Sequence, residues 1–150
     1  AIEIAGISDD IQVYAVEQKH EAVSLIEKNK EKFELQNVTV VEGEATEGLS
    51  RLPMATHAFI GGSGGRLKEI LVSLRQMNPD MRVVVNAVSM ETICEMREIL
   101  SMDDMIKEEE IVQLQVSRAK KAGNYHLMQS ENPVWICAFD FCGKELERKA

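Results

Sequence analysis

Apolar positions along this chain change period repeatedly, and each change marks an element. Ile11-Gln12-Val13-Tyr14-Ala15-Val16 is a compact apolar run that ends in an acid, Glu17, as a buried strand would. Ala22, Val23, Ile26 and Phe33 then fall on one stripe with Glu and Lys opposite, which predicts an amphipathic helix broken at Asn37. Val38-Thr39-Val40-Val41-Glu42 returns to strand chemistry, Gly43-Glu44-Ala45 turns the chain, and a short helix fits residues 47–52 before Pro53 stops it. His57-Ala58-Phe59-Ile60 is the next strand. It empties into Gly61-Gly62-Ser63-Gly64-Gly65, after which Leu67, Ile70, Leu71 and Leu74 set helical spacing over residues 66–77. Asn78-Pro79-Asp80 is turn chemistry, residues 82–88 form a continuously apolar strand, and Ser89 is placed to cap a helix over 90–100.

This strand–helix alternation predicts an α/β fold of the Rossmann-like kind, a doubly wound and mostly parallel sheet. The tail behaves differently. Val112, Leu114 and Val116 alternate with polar residues, and a polar stretch leads to Pro133-Val134-Trp135-Ile136-Cys137-Ala138-Phe139. Two strands joined without a helix predict an antiparallel pair at one edge of the sheet. Residues 1–150 carry no internal repeat and no interdomain linker, so one domain is expected.

Composition narrows the function. Hydrophobic residues make up 45% and charged residues 28%, an ordinary globular balance. Lys and Arg total 17 against 25 Asp and Glu, for a net charge of -8, which argues against a nucleic-acid partner. Cys94, Cys137 and Cys142 form no CxxC pair and cannot all be paired, and no His lies at metal-ligand spacing, so no metal site is expected. With no apolar stretch of membrane-spanning length and no signal segment, a soluble cytoplasmic protein without membrane contact is the expectation.

The candidate chemistry lies at the strand ends. A carboxylate at Glu17, ending a strand of a nucleotide-binding sheet, can accept from both hydroxyls of a ribose. Glu44-Ala45 occupies the same end of the following strand, where an acid can accept from an adenine amino group and the Ala backbone can meet the ring. In residues 61–65, four glycines around Ser63 remove the side-chain wall and let backbone amides approach a ligand. Asn86 ends the strand after that, so polar or glycine features at four successive strand ends are expected to share one rim. A second group, Arg118, Lys120, Lys121, Tyr125 and His126 around the turn Gly123-Asn124, suits a flat anionic ligand. The glycine loop is neither a Walker loop nor GxGxxG. It does fit G-x-S-x-G, but a hydrolase triad would have to press Asp80 or Asp103 into service before His126.

Val13-Tyr14-Ala15-Val16-Glu17, Glu42-Gly43-Glu44-Ala45, Phe59-Ile60 with the glycine loop, Asn86-Ala87-Val88 and Asn132-Pro133-Val134 together resemble the decarboxylating precorrin 15-methyltransferases of cobalamin biosynthesis. The likeness runs over nearly the whole chain, and its most specific element is the glycine loop combined with Gln115-Val116-Ser117-Arg118. It implies a class I methyltransferase that uses S-adenosyl-L-methionine and releases S-adenosyl-L-homocysteine. The reaction implied is methylation of carbon 15 of a (cobalt-)precorrin-6B macrocycle, with loss of carbon dioxide from the ring C acetate. By matching position it implies Glu17, Glu44, Ala45, Gly61 and Gly62 for cofactor, and Ser63, Gly64, Gly65, Asn86, Arg118, Lys120, Lys121 and Tyr125 for substrate. It assigns no catalytic residue.

The resemblance also implies a tetramer built partly through the edge hairpin. Glu44 stands where the family more often has Asp. The family's first strand and cofactor loop should precede Ala1, so this chain is expected to be a fragment. That strand would lie between those ending at Glu17 and at Gly61, leaving an unpaired edge on each and weak or absent cofactor binding. Alternatives are a class I methyltransferase acting on another small molecule and a non-catalytic binding module.

Overall fold

The computed structural model describes residues 1–101 and 106–142. Contacts divide the chain into two compact units, Ala1–Pro53 and Met54–Ala150.

The first unit runs α1 (Ile2–Ala5), β1 (Val13–Glu17), α2 (His20–Lys32), β2 (Val38–Glu42) and α3 (Ala45–Leu49). β1 and β2 pair in parallel from Val13↔Val38 to Glu17↔Glu42, and among the described residues they form a two-stranded sheet. Asn37 organises the entrance to it. Its buried side-chain Nδ2 donates to the carbonyls of Ala5 (3.0 Å), Ser8 (3.1 Å) and Ile11 (2.8 Å), while its own carbonyl accepts from the Val13 amide at 2.9 Å. A polar residue at this sharp passage thus satisfies three backbone carbonyls, one buried and two part-buried.

Three expectations are corrected in this unit. Asn37 does not end α2; the helix stops at Lys32, and Glu34 turns the chain with a φ of 54°. Phe33, expected on the buried stripe, caps the helix and is 56% exposed, with Lys32 Nζ 5.5 Å above its ring. Ala22, Val23 and Ile26 share a stripe that is only half-buried, and the helical ladder ends one residue too early to carry Phe33 inward. α3 also begins two residues before the predicted helix and ends at Leu49, well short of Pro53, whose ring disfavours helix in the residue before it. Gly48 explains the seat of α3: a Cβ there would lie 2.5 Å from Val16 Cγ1, so only glycine lets the helix sit this close to β1.

The second unit runs β3 (His57–Ile60), α4 (Leu67–Met77), β4 (Arg82–Ala87), α5 (Met90–Ser101), β5 (Ile106–Leu114), β6 (Ser117–Ala122), β7 (Tyr125–Ser130) and β8 (Val134–Phe141). Its main sheet has the order β3-β4-β8-β5. β3 and β4 are parallel, joined through α4, and β8 lies antiparallel to both β4 and β5. The expected antiparallel pair at an edge is therefore present, with β5 outermost.

Alternation along the strands sets the core. Val83, Val85 and Ala87 of β4 and Cys137, Phe139 and Phe141 of β8 are buried, as are Leu67, Ile70, Leu71 and Leu74 of α4 and Met96 of α5. The Phe139 and Phe141 rings meet edge to face, 5.8 Å between centroids. Ser89 caps α5 as predicted, its Oγ accepting from the Thr92 amide at 3.2 Å. The stretch expected as a polar loop folds as a separate two-stranded sheet, β6 against β7. Gly123, with a φ of 62°, takes the first central position of its two-residue turn. Among the described residues, β1 pairs with β2 and β3 with β4, each on one side.

Candidate functional site

In the first unit, β1 and β2 end side by side in acids, because the parallel register sets Glu17 beside Glu42. The two carboxylates are tied down differently. Glu17 Oε1 accepts from the Lys19 amide at 2.9 Å, and the Glu17 carbonyl accepts from the Gly43 amide at 3.0 Å. Glu42 Oε1 lies 3.1 Å from Nδ1 of His20, the first residue of α2. The Glu17 carboxylate is thus oriented by backbone and half-buried, while Glu42 is exposed and drawn toward the imidazole. Glu44 and Ala45 follow directly, Glu44 as the residue before α3 and Ala45 as its first residue. The sequence had given no role to His20, and no spacing rule reveals its pairing, which depends on two strand ends coming abreast.

This end can take hydrogen-bond donors. A carboxylate has lone pairs and no proton to give, so Glu17 suits hydroxyls or amino groups. Three acids at one end also repel phosphate, so the rim favours a nucleoside-like ligand over a nucleotide. An adenosyl group meets both conditions, and these residues fit it.

In the second unit, β3 ends at Ile60, opposite Val85 of β4. One step further along the same parallel register lie Gly61 and Asn86, where the glycine loop leaves the sheet. Gly64 and Gly65 adopt φ values of 59° and 80°, which other residues resist. A Cβ at Gly62, Gly64 or Gly65 would meet nothing within 4 Å, so the loop borders open space. Ser63 at its centre is buried, and neither its Oγ nor the buried Oδ1 of Asn86 has a hydrogen-bond partner among the described residues. Asp103 of the possible hydrolase triad lies outside the described residues.

The hairpin divides the predicted cations. Alternation and the pairs Arg118↔Gln129, Lys120↔Leu127 and Ala122↔Tyr125 set Arg118, Lys120, Tyr125 and Leu127 on one face. Lys121 lies on the other, opposite His126. Arg118 Nε donates to Glu131 Oε1 at 2.7 Å, so the charge it presents is partly offset. The expected five-residue group is therefore two groups, back to back.

Three comparisons bear on this arrangement. Residues 1–139 match the family described as the precorrin methyltransferase domain. A probable cobalt-precorrin-6B C(15)-methyltransferase (decarboxylating) of Methanothermobacter thermautotrophicus is 37% identical over 125 residues, spanning 82% of this chain and 64% of that protein. The chain thus covers a little under two thirds of that relative. The crystal structure of a precorrin-6y C5,15-methyltransferase from Geobacter metallireducens superposes with a TM-score of 0.81 at 32% identity, covering 93% of this chain and 73% of that one. A precorrin 8w decarboxylase from Methanobacterium thermoautotrophicum gives 0.78 at 34%, with coverage of 93% and 73%.

Proposed function

Because the chain belongs to the precorrin methyltransferase domain family, we propose that it serves the S-adenosyl-L-methionine-dependent methylation of carbon 15 of a (cobalt-)precorrin-6B macrocycle, with loss of carbon dioxide from the ring C acetate, whose remaining carbon takes up a proton and stays as a methyl group. The family match along residues 1–139 carries this reading. The cofactor, when bound, supplies an electrophilic methyl group. Glu17, held by the Lys19 amide, accepts from the ribose hydroxyls. Glu44 and Ala45 meet the adenine, and Gly61 and Gly62 leave the backbone free to approach. Ser63, Gly64, Gly65 and Asn86 border the substrate, while Lys120, Arg118 and Tyr125 on one hairpin face, and Lys121 on the other, receive its carboxylates.

Chemistry of this kind asks mainly for alignment of the carbon nucleophile with the sulfur–methyl bond. Orientation alone is worth on the order of 7–11 kcal/mol, so no covalent enzyme intermediate is needed. The test is incubation with S-adenosyl-L-methionine and metal-free or cobalt-containing precorrin-6B, read by mass spectrometry. Gain of one methyl with loss of one carbon dioxide is expected; recovery of unchanged macrocycle with either form refutes the reading.

The hairpin also supports self-association, as a tetramer. All of residues 117–130 are exposed, including Tyr125 (75%), Leu127 (60%) and Met128 (66%). A lone two-stranded hairpin is marginal in water and gains stability by packing. Leu127→Asp with Met128→Asp is expected to reduce the mass seen by light scattering to that of a monomer; an unchanged mass removes the hairpin from the interface.

A further inference from the structure

Among the described residues, Asn37 and Ser63 are the buried polar side chains, and each has an unpaired oxygen, Asn37 Oδ1 and Ser63 Oγ, but only Asn37 also uses its side chain to hold the fold. Asn37 spends its amide nitrogen on three backbone carbonyls, so its burial serves the fold. Ser63 is 8% exposed, yet its Oγ has no partner among the described residues. Asn86 Oδ1 is in the same state, buried and unpaired. Native folds leave few such atoms, because water lost on burial is normally replaced by another hydrogen bond.

Their location gives the reason. Ser63 sits in the loop leaving β3 and Asn86 at the end of β4, its parallel neighbour, which is the end of an α/β sheet where ligands are taken. Glycines flank Ser63 with open space beside them. Two unpaired polar atoms therefore stand at a loop built to admit a ligand.

We infer that Ser63 Oγ and Asn86 Oδ1 are hydrogen-bond partners of the substrate, and that Asn86 accepts from a proton donor at the macrocycle's centre rather than reading its periphery. This rests on the tetrapyrrole reading above and narrows it. An amide oxygen has only lone pairs to offer. The peripheral carboxylates of a precorrin are ionised at neutral pH and have no proton to give. The donors left to such a ligand are its ring N–H groups, or water held by a metal at its centre. The Ser63 hydroxyl, which can also donate, takes a carboxylate.

The experiment uses the full chain, Asn86→Leu and Ser63→Ala, with three octacarboxylate probes. Uroporphyrinogen, kept anaerobic, offers N–H groups from a buckled ring. Cobalt(III) uroporphyrin offers metal-held water, and free-base uroporphyrin keeps its N–H groups within a flat ring. Trp135, the cross-strand neighbour of Ala87 beside Asn86, reports binding by quenching.

Asn86→Leu is expected to melt no lower than the parent and to lose about ten-fold in affinity for uroporphyrinogen or for the cobalt probe. Which of the two is affected identifies the donor. Its affinity for free-base uroporphyrin stays unchanged. Ser63→Ala is expected to weaken all three probes by a similar factor without lowering the melting temperature. A clear drop in melting temperature for either variant means that the fold itself uses the group and overturns the inference. So does equal weakening of all three probes by Asn86→Leu, or of none. If the parent chain binds no probe, the tetrapyrrole reading falls first and this inference with it; if the parent binds and Asn86→Leu binds as well, only this inference falls.

Discussion

Gly48→Ala is the sharpest probe of how the first unit's strand end is held. The new Cβ would lie 2.5 Å from Val16 Cγ1, 3.4 Å from Cγ2 and 3.6 Å from Cβ. Carbon atoms pack best near about 3.5–4.0 Å, so the first contact is short by roughly 1 Å. Val16 is β-branched, and rotating it exchanges one methyl for another instead of opening space. Overpacking of this kind costs about 1–3 kcal/mol. Against it, replacing a helical glycine by alanine returns about 1 kcal/mol. The net expectation is a loss of about 1 kcal/mol, from two opposed effects.

The two effects separate in a Val16→Ala background. There the clashing methyls are gone and only the helix gain remains, so the same Gly48→Ala change is expected to stabilise by about 1 kcal/mol. The coupling in the double-mutant cycle is then about 2 kcal/mol, well above the roughly 0.5 kcal/mol that independent sites show. Urea unfolding followed by circular dichroism measures all four proteins, with the m-value required to stay constant. Equal effects of Gly48→Ala in both backgrounds would refute close packing of α3 on β1 as the reason for this glycine.

Three further outcomes follow from the same coordinates. Gly62→Ala meets no atom within 4 Å and should leave melting unchanged while lowering methyl transfer, whereas Gly64→Ala and Gly65→Ala, at φ values of 59° and 80°, should each cost about 1–2 kcal/mol of stability; a Gly62→Ala enzyme of full activity would remove the loop from the site. Asn37→Ala removes two N–H donors shared among three backbone carbonyls and should cost about 1–3 kcal/mol by urea unfolding, and no measurable loss would mean that the clamp is dispensable. Burial, followed by the charge of Glu109, raises the Cys137 thiol from 9.0 to about 11. The unfolded chain therefore sheds this proton first, and stability present below pH 9.0 is lost as pH rises to about 11, by an amount on the order of 2–3 kcal/mol that Cys137→Ala should abolish; an identical alkaline slope in that variant would assign the effect elsewhere.

How far the sequence could be read depended on whether a feature is local. The apolar runs ending at Glu17 and Ile60 and the Ser89 cap depend on neighbouring residues, and they stand where pattern and turn chemistry set them. Phe33 was misplaced because periodicity says which face a residue would occupy and not where the hydrogen-bonded ladder stops. α3 was displaced because Gly48 reads as a weak helix residue until Val16 is known to lie against it. The β6–β7 hairpin was only partly legible, since both its faces are exposed and its polar alternation carries no inside or outside. At the candidate site, glycines and acids announce themselves in sequence, whereas the His20–Glu42 pairing and the unpaired Oγ of Ser63 exist only once strands are in register.

The division of charge gives the proposed chemistry its physical sense. A chain of net charge -8 that binds a polycarboxylate works against its own field. At physiological salt that field is screened beyond roughly 8 Å, so repulsion elsewhere on the surface matters less than what the ligand touches. The acids that would repel it are gathered where donors are wanted, at Glu17, Glu42 and Glu44, and Glu42 is turned toward His20. The loop of residues 61–65 carries no formal charge at all, so a polyanion approaching it meets backbone amides and a hydroxyl. The cations stand on a hairpin whose every residue is exposed, where ammonium groups keep their hydration until a carboxylate replaces it. Selectivity then cannot come from those lysines, which accept any anion. It has to come from the uncharged groups, and of the three buried side-chain atoms left without a partner among the described residues, Asn37 Oδ1, Ser63 Oγ and Asn86 Oδ1, the last two belong to the glycine loop and to the end of β4 beside it.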